Sequence, residues 1–129
     1  MPALITSCSS TTGPANDNHG PMNVDITQYN GLQSDFGAAK VSFNGYNQNF
    51  PVIIIKESAG TYLVLTSMCS HQGCEVNLPD TAAKTITCPC HGSRYSETDG
   101  SVINGPASYG LKVILSSFNA STNVLTINF

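Results

Sequence analysis

The apolar residues of this chain occur in short runs separated by Gly, Pro, Asn, Asp and Ser, without helical periodicity of useful length. Runs of this kind predict short β-strands bounded by turns. The longest apolar run, Val52 to Ile55, has the length of one strand. We predict about nine strands, at residues 24–26, 40–43, 52–56, 62–66, 75–77, 84–87, 101–103, 111–115 and 124–128. The pattern therefore indicates an all-β fold, an antiparallel sandwich or barrel.

Composition narrows the possible functions. A chain of 129 residues with 40% hydrophobic content can form one domain with one core. Only 10% of the residues are charged, and the five basic side chains are scattered, so no basic patch for nucleic acid is present. No apolar run approaches the roughly 18 residues that a membrane-spanning helix needs.

The first 23 residues differ in composition from the rest. Residues 9–23 are rich in Ser, Thr, Gly, Pro and Asn, which predicts a flexible N-terminal tether (residues 1–23) before a domain at residues 24–129. Ile5-Thr6-Ser7-Cys8 looks like the acylation motif of a bacterial lipoprotein, with Cys8 as the candidate for lipidation. The basic head and apolar core of a signal peptide are missing from it, so we expect the sequence to begin within a longer precursor. The alternative is a spare thiol in a loose tail.

Candidate chemistry is concentrated in two short motifs. Motif one (residues 69–74) reads Cys-Ser-His-Gln-Gly-Cys, and motif two (residues 88–95) reads Cys-Pro-Cys-His-Gly-Ser-Arg-Tyr. Each offers a Cys and a His that can converge, and each holds one further cysteine. Because both motifs lie between predicted strands, we expect two loops at one end of a β scaffold.

Three kinds of site are compatible with the two motifs. Two thiolates and two imidazoles satisfy tetrahedral zinc, although the usual zinc motif opens with two closely spaced cysteines. A disulfide framework explains the cysteines but leaves both histidines without a role. A [2Fe–2S] cluster with mixed ligands uses all four side chains.

The pattern Cys69-x-His71 followed by Cys88-x-x-His91 resembles the Rieske family. The resemblance implies an all-β fold with a cluster-binding part of two loops, here at about residues 67–108. It also implies a Rieske-type [2Fe–2S] cluster, with Cys69 and Cys88 on one iron and His71 and His91 on the other. Those two histidines would couple electron transfer to proton transfer.

Further positions extend the resemblance. In Rieske proteins of cytochrome bc and b6f complexes, cysteines matching Cys74 and Cys90 form a disulfide between the loops. Such a bridge fits an oxidising, extracytoplasmic compartment. Ser93 is expected to donate to a bridging sulfide, and Tyr95 to a ligating thiolate, that of Cys69. Gly105-Pro106-Ala107 resembles the proline loop that covers the cluster.

The resemblance implies a high-potential electron-transfer protein that accepts an electron from quinol and passes it to a c-type cytochrome. Its expected partners are a quinol-oxidising membrane subunit and that cytochrome, on the periplasmic face of a bacterial membrane, with attachment through an anchor or a lipid on Cys8. Gln72 departs from the pattern, since complex-bound members commonly carry Leu there. Two alternatives stay open: the small Rieske subunit of a molybdenum oxidoreductase of the arsenite oxidase type, and a zinc-stapled surface domain without redox chemistry.

Overall fold

A computed structural model describes residues 20–57, 60–70, 73–80, 82–90 and 92–129. Within these ranges the chain forms nine short strands and three 3-10 turns. The strands are β1 (Pro21–Asp25), β2 (Ala38–Val41), β3 (Val52–Lys56), β4 (Tyr62–Thr66), β5 (Thr85–Thr87), β6 (Arg94–Ser96), β7 (Val102–Asn104), β8 (Leu115–Asn119) and β9 (Val124–Asn128). The 3-10 turns are Ile26–Gln28, Asn30–Gln33 and Asn47–Asn49. The predicted all-β class is confirmed.

The strands form three antiparallel three-stranded sheets, with the orders β1-β9-β8, β2-β3-β4 and β5-β6-β7. The third sheet contains the strands on either side of motif two. No helix in the described ranges is long and apolar enough to span a membrane.

Strand β3 separates two hydrophobic cores. Successive side chains of a strand point to opposite faces, so an uninterrupted apolar run supplies both. Val52 and Ile54 pack into the first core, whereas Ile53 and Ile55 pack into the second. The second core also contains residues of both motifs and of the chain near them. These are Leu65, Cys69, Val76, Ile86, Cys88, Tyr95, Ala107 and Leu111. Two residues of the longest apolar run, Ile53 and Ile55, thus pack in the same core as Cys69 and Cys88.

Two predicted strands are wrong. Residues 75–77 make only an isolated bridge between Met68 and Glu75. Residues 111–115 lie mostly outside β8, which begins at Leu115, although Val113 makes an isolated bridge to Leu65. In both segments the backbone makes separate bonds in place of a continuous ladder. The Val76 amide donates to the Ser67 carbonyl at 2.8 Å, and the Ile114 amide donates to the Val64 carbonyl of β4 at 2.9 Å.

Strand boundaries also shift at the N-terminus. Pro21–Asp25 pairs with β9, so residues 21–23, assigned to the tether by composition, lie in a sheet. The lipidation candidate Cys8, the ligand candidates His71 and His91, and Gln72 lie outside the described residues.

Candidate functional site

Motifs one and two fold into the same backbone turn. In motif one the Cys69 amide donates to the Cys74 carbonyl at 2.7 Å, and the Gly73 amide donates to the Cys69 carbonyl at 3.0 Å. In motif two the corresponding bonds are 2.8 Å from Cys88 to Ser93 and 2.9 Å from Gly92 to Cys88. Each turn therefore places a cysteine at its first position in an equivalent backbone setting.

A glycine closes each turn because the backbone there is left-handed. Gly73 has a φ of 71° and Gly92 a φ of 79°, a region that L residues with a side chain rarely adopt. An added Cβ at either position would meet no atom within 4 Å, so the requirement is conformational and not steric. The spacing Cys-x-x-x-Gly-x, present in both motifs, is the sequence signal for this shared turn, and the motif analysis missed it.

The structure joins the two turns through a disulfide between Cys74 and Cys90, the pair that the resemblance implied. Their Cα atoms are 6.4 Å apart, within the range usual for disulfides. Cys90 is exposed, whereas Cys74 is half-buried. The bridge fixes the two turns side by side.

Cys69 and Cys88 remain outside the disulfide, and both are buried. The sulfur of Cys88 lies within 4.8 Å of both disulfide sulfurs. Two of these three sulfurs are bonded to each other, so of this group Cys88 is the residue that offers a thiol to a metal. The two turns thus present one buried thiol each.

Tyr95 lies fully buried beside Cys69. Its hydroxyl is 3.1 Å from the Cys69 sulfur and 3.3 Å from the Ser70 hydroxyl. The Ser70 hydroxyl also donates its proton to the Tyr109 carbonyl at 2.6 Å. Burial, followed by the hydrogen bond with Cys69, raises the pKa of Tyr95 above its ordinary 10.0, so the phenol keeps its proton at neutral pH.

Ser93 links motif two to the loop at residues 105–107. Its side chain is fully buried, and its oxygen accepts the Ala107 amide at 3.0 Å. Within the described residues the Ser93 hydroxyl proton has no acceptor. The sequence predicted a bridging sulfide as the partner of the Ser93 hydroxyl. The structure shows a second partner, the Ala107 amide, which the sequence did not indicate.

The loop Gly105-Pro106-Ala107 lies against Ser93 of motif two. Ala107 is buried in the second core, while Pro106 is exposed. A Cβ on Gly105 would approach the Ala107 carbonyl oxygen to 2.9 Å, so the tight turn accepts no side chain there without rearrangement. That this loop covers a cluster stays a prediction.

Two contacts hold this region on the remainder of the domain. Lys40 of β2 forms an ion pair with Glu75 at 2.6 Å, directly after motif one. Lys84, directly before β5, places its ammonium group 4.2 Å from the ring centroid of Phe36. Lys40 lies in β2 and Phe36 lies just before it. The segment around β2 therefore contacts the chain next to both motifs.

Glu97 is a buried carboxylate that the sequence analysis missed. It is fully buried, and neither carboxylate oxygen has a hydrogen-bond partner among the residues that the structure describes. Burial raises the pKa of Glu97 above its ordinary 4.5; nearby Lys84 opposes this shift and Asp80 adds to it. The strand alternation supplied a signal: Ser93, Tyr95 and Glu97 occupy every second position and all three are buried.

A groove of about 460 Å³ opens beside the site. Its lining includes Ser70, the exposed Tyr109, Val113, Leu115 and Phe129, together with polar residues. The groove therefore reaches the same Ser70 hydroxyl that contacts Tyr95.

The fold and the site together define an all-β protein whose two matched, disulfide-linked turns present buried cysteine thiols. The family model of the Rieske [2Fe–2S] domain matches residues 28–115. The chain belongs to this family.

Known proteins with similar sequences are iron-sulfur subunits. The chain is 39% identical over 67 residues to the cytochrome b6-f complex iron-sulfur subunit of Chlorobaculum tepidum, covering 52% of this chain and 36% of that one. It is 42% identical over 60 residues to the subunit of the same name from Prochlorococcus marinus, covering 46% and 33%. The chain thus spans about a third of the length of the curated relatives it matches.

Solved structures share the fold. The plasma membrane Rieske protein PetC3 from Synechocystis PCC 6803 superposes with a TM-score of 0.64 at 24% identity, covering 84% of this chain and 99% of that one. The ferredoxin of carbazole 1,9a-dioxygenase from Nocardioides aromaticivorans gives a TM-score of 0.60 at 13% identity, with coverages of 84% and 96%. At these identities the likeness concerns the fold.

The family's cofactor is a Rieske-type [2Fe–2S] cluster, and the donor set of the described residues fits it. One buried thiol stands on each matched turn, and buried hydroxyl groups lie beside them. Family membership replaces the zinc-stapled surface domain as an explanation of the motifs.

Proposed function

We propose that this chain is a high-potential Rieske electron-transfer protein that accepts an electron from quinol and passes it to a c-type cytochrome. Cys69 and Cys88 would hold one iron, and His71 and His91 the other. When bound, the cluster supplies a one-electron carrier whose imidazole ligands can couple electron uptake to proton uptake. The support comes from the site around these residues and from the relatives, which are subunits of cytochrome b6-f complexes.

The contact between Tyr95 and Cys69 is the observation that carries the high-potential assignment. A cysteine that binds iron is deprotonated and can only accept a hydrogen bond. At 3.1 Å, the Tyr95 phenol is then the donor to that sulfur. A donated bond withdraws electron density from the thiolate, which favours the reduced state and raises the reduction potential.

We propose that Ser93 acts in the same direction. Its oxygen accepts the Ala107 amide, so its proton remains available for an acceptor on the cluster side. The disulfide between Cys74 and Cys90 supports the bc and b6f subclass, whose members tie the two loops together in this way.

We further propose that the protein works on the extracytoplasmic face of a bacterial membrane, with a quinol-oxidising membrane subunit as its partner. A structural disulfide between the two turns fits an oxidising compartment. Attachment through Cys8 or through a further anchor belongs to the same proposal. Intact-mass measurement on protein from native membranes tests it, because an unmodified Cys8 would contradict lipidation.

A redox titration followed by visible absorption from about pH 6 to pH 10 tests the function. We expect a midpoint in the upper part of the Rieske range of about −150 to +300 mV. The potential should fall as pH rises, because the oxidised form releases imidazole protons at lower pH than the reduced form. A low midpoint that stays flat until high pH would point to a ferredoxin-like carrier.

Replacing Tyr95 with Phe should lower the midpoint potential. A hydrogen bond worth about 1–1.5 kcal/mol more in the reduced state corresponds to roughly 40–65 mV for one electron. The matched control is Tyr109→Phe, since Tyr109 is exposed and contacts Ser70 through its backbone carbonyl. Equal potentials for wild type and Tyr95→Phe would contradict the donor role.

Replacing Ser93 with Ala should lower the potential by a similar amount and also destabilise the loop at residues 105–107. The variant leaves the Ala107 amide without its side-chain acceptor, a loss of about 1–3 kcal/mol for a buried group. Redox titration and urea unfolding separate the two effects. A stability loss with no change in potential would restrict Ser93 to its structural bond.

A further inference from the structure

The buried carboxyl group of Glu97 and the exposed side chain of Lys84 are neighbours that form no ion pair. The Glu97 amide donates to the Lys84 carbonyl at 2.9 Å, next to the paired residues Thr85 and Ser96, so the two residues are opposite each other at the end of the β5–β6 ladder. Neither of the two ion pairs within the described residues includes Lys84. A buried acid and a cation thus share one end of a hairpin without pairing.

The Lys84 ammonium group instead lies on the ring of Phe36, 4.2 Å from the ring centroid. The backbone around Lys84 is fixed, because Asp80 and Thr85 exchange two amide-to-carbonyl bonds of 2.8 and 3.3 Å on either side of this turn. The side chain, in contrast, ends a flexible four-carbon stem. Rotation about the bonds of this stem can therefore move the ammonium group from one neighbour to another without moving the backbone.

Glu97 needs a cation when it ionises, because an isolated carboxylate is unstable in an apolar interior. Burial raises the pKa of Glu97, the charge of Lys84 lowers it, and the charge of Asp80 raises it. Asp80 is held in its own turn, where one carboxylate oxygen accepts the Ala82 and Ala83 amides at 3.0 and 3.3 Å. Lys84 is therefore the charged neighbour that favours the ionised form.

Other charged groups of this region are engaged elsewhere. Lys56 pairs with Asp35 at 2.9 Å, just before the Phe36 ring. Asp99 accepts two hydrogen bonds within the turn that follows β6. Arg94 of β6 is exposed and stands at an odd number of residues from the buried carboxyl, which places it on the other face of the strand.

We propose that Lys84 is a two-position switch: its ammonium group lies on the Phe36 ring while Glu97 is protonated and moves to the carboxylate of Glu97 once that group is ionised. The ion pair offsets part of the cost of burying the charge, so the pKa of Glu97 stays above its ordinary 4.5. As pH rises through this ionisation, the segment before β2 loses its contact with the chain that leads into β5 and motif two. The switch goes beyond the proposed electron transfer and uses none of the proposed cluster ligands.

Nuclear magnetic resonance of the oxidised, cluster-loaded, full-length protein tests the switch. The Glu97 Cδ signal reports ionisation of the carboxyl group. The Lys84 Hε signals report contact with the ring, because the ring current of Phe36 shifts protons above its face upfield. From about pH 4 to pH 9 we expect the Lys84 signals to lose this upfield shift with the same midpoint as the Glu97 signal. In Glu97→Gln the upfield shift should persist over the whole range.

Two further variants should move the midpoint of the Glu97 titration in opposite directions. Lys84→Met removes the cation and should raise the midpoint, whereas Phe36→Leu removes the competing ring and should lower it. A cation–π contact of ordinary strength corresponds to roughly a two- to fivefold change in the ionisation constant. Lys112→Met is the matched control and should leave the midpoint unchanged, because Lys112 is exposed and is not among the charges that act on Glu97.

Urea unfolding provides a second readout that does not depend on signals near the cluster. Double-mutant cycles should show coupling between Lys84 and Phe36 at pH values below the Glu97 midpoint. Above this midpoint the coupling should instead appear between Lys84 and Glu97. Coupling between Lys84 and Phe36 that is the same at both pH values would contradict the movement of the ammonium group.

Titration of Glu97 without any change in the Lys84 signals would overturn the switch, and so would equal midpoints in wild type and Lys84→Met. A Glu97 side chain that stays protonated up to pH 9 would overturn it as well. The midpoint potential of the cluster is measured separately, so the proposed electron transfer stands or falls independently of these results.

Discussion

Replacing both Cys74 and Cys90 with Ser is expected to be among the most destabilising changes that leave the proposed ligands in place. The bridge has a sequence separation of 16, and the chain-entropy estimate for a loop of about this length is about 3 kcal/mol. For a small protein in urea this corresponds to a midpoint lower by roughly 1–3 M. The measurement is the urea concentration at which the visible absorption of the cluster disappears after a fixed incubation.

The effect should appear first at the metal centre. Motifs one and two are separate turns, each closed by its own backbone bonds, and the disulfide is the covalent link between them. Its loss should therefore release the cluster at urea concentrations where far-UV circular dichroism still reports strands. The single variants Cys74→Ser and Cys90→Ser also lack the bridge, so they are the controls and should reproduce the shift. An unchanged bleaching midpoint would show that packing alone holds the two turns together.

The second support of the two motifs comes from the segment around β2. Lys40 pairs with Glu75 after motif one, and Phe36 contacts Lys84 before motif two. The ion pair is partly exposed, and such pairs contribute at most about 1 kcal/mol. The disulfide is the stronger of these constraints, which explains why its removal dominates the expected effects.

Much of the fold could be predicted because local patterns and tertiary contacts agree. The run from Val52 to Ile55 predicts a strand, and the structure places it between two cores that need apolar side chains on both faces. The pairing of Cys74 with Cys90 and the position of Tyr95 beside Cys69 followed from the family resemblance. Spacing alone left zinc and disulfide frameworks open.

The misses have a common physical origin. Strand β6 has three residues and begins inside motif two, so its composition gives no run to detect. Residues 111–115 are apolar enough for a strand, but only Val113 bridges to Leu65 because the chain there passes beside β4 before β8 begins. In each case the ladder partner, which is distant in sequence, decides the outcome.

Glu97 shows the same limit for the site. Its setting, Ser96-Glu97-Thr98-Asp99-Gly100, has the composition of an exposed turn, yet the inward register of Ser93 and Tyr95 carries Glu97 into the interior. The composition of this segment predicts that Glu97 is exposed, whereas the alternation of buried positions along the strand predicts that it is buried. The short β6 ladder, fixed by pairing with β5 and β7, follows the alternation.

Replacing Glu97 with Leu is expected to raise the free energy of unfolding by about 1–3 kcal/mol at pH 8. Both carboxylate oxygens are buried and have no hydrogen-bond partner in the described part of the chain. The expected gain is the usual cost of leaving a buried polar group unsatisfied. Leu removes the polar atoms at comparable size. The control is Glu57→Leu, since the Glu57 carboxylate accepts a hydrogen bond from Thr61 at 2.8 Å and its removal should not stabilise.

The pH dependence distinguishes a burial penalty from a simple packing gain. Burial raises the pKa of Glu97 in the folded state above its value of about 4.5 in the unfolded chain, so the folded protein binds more protons across that interval. Stability from the protonated carboxyl is complete below the unfolded pKa and is lost as pH rises through the folded pKa. The unfolding free energy of wild type should therefore change between pH 4 and pH 8 in part because Glu97 titrates. Glu97→Gln carries no titratable proton, so this part of the change should be absent in the variant. If wild type and Glu97→Gln show the same change in unfolding free energy over this range, then Glu97 is ionised in the folded protein and another group supplies the compensating charge.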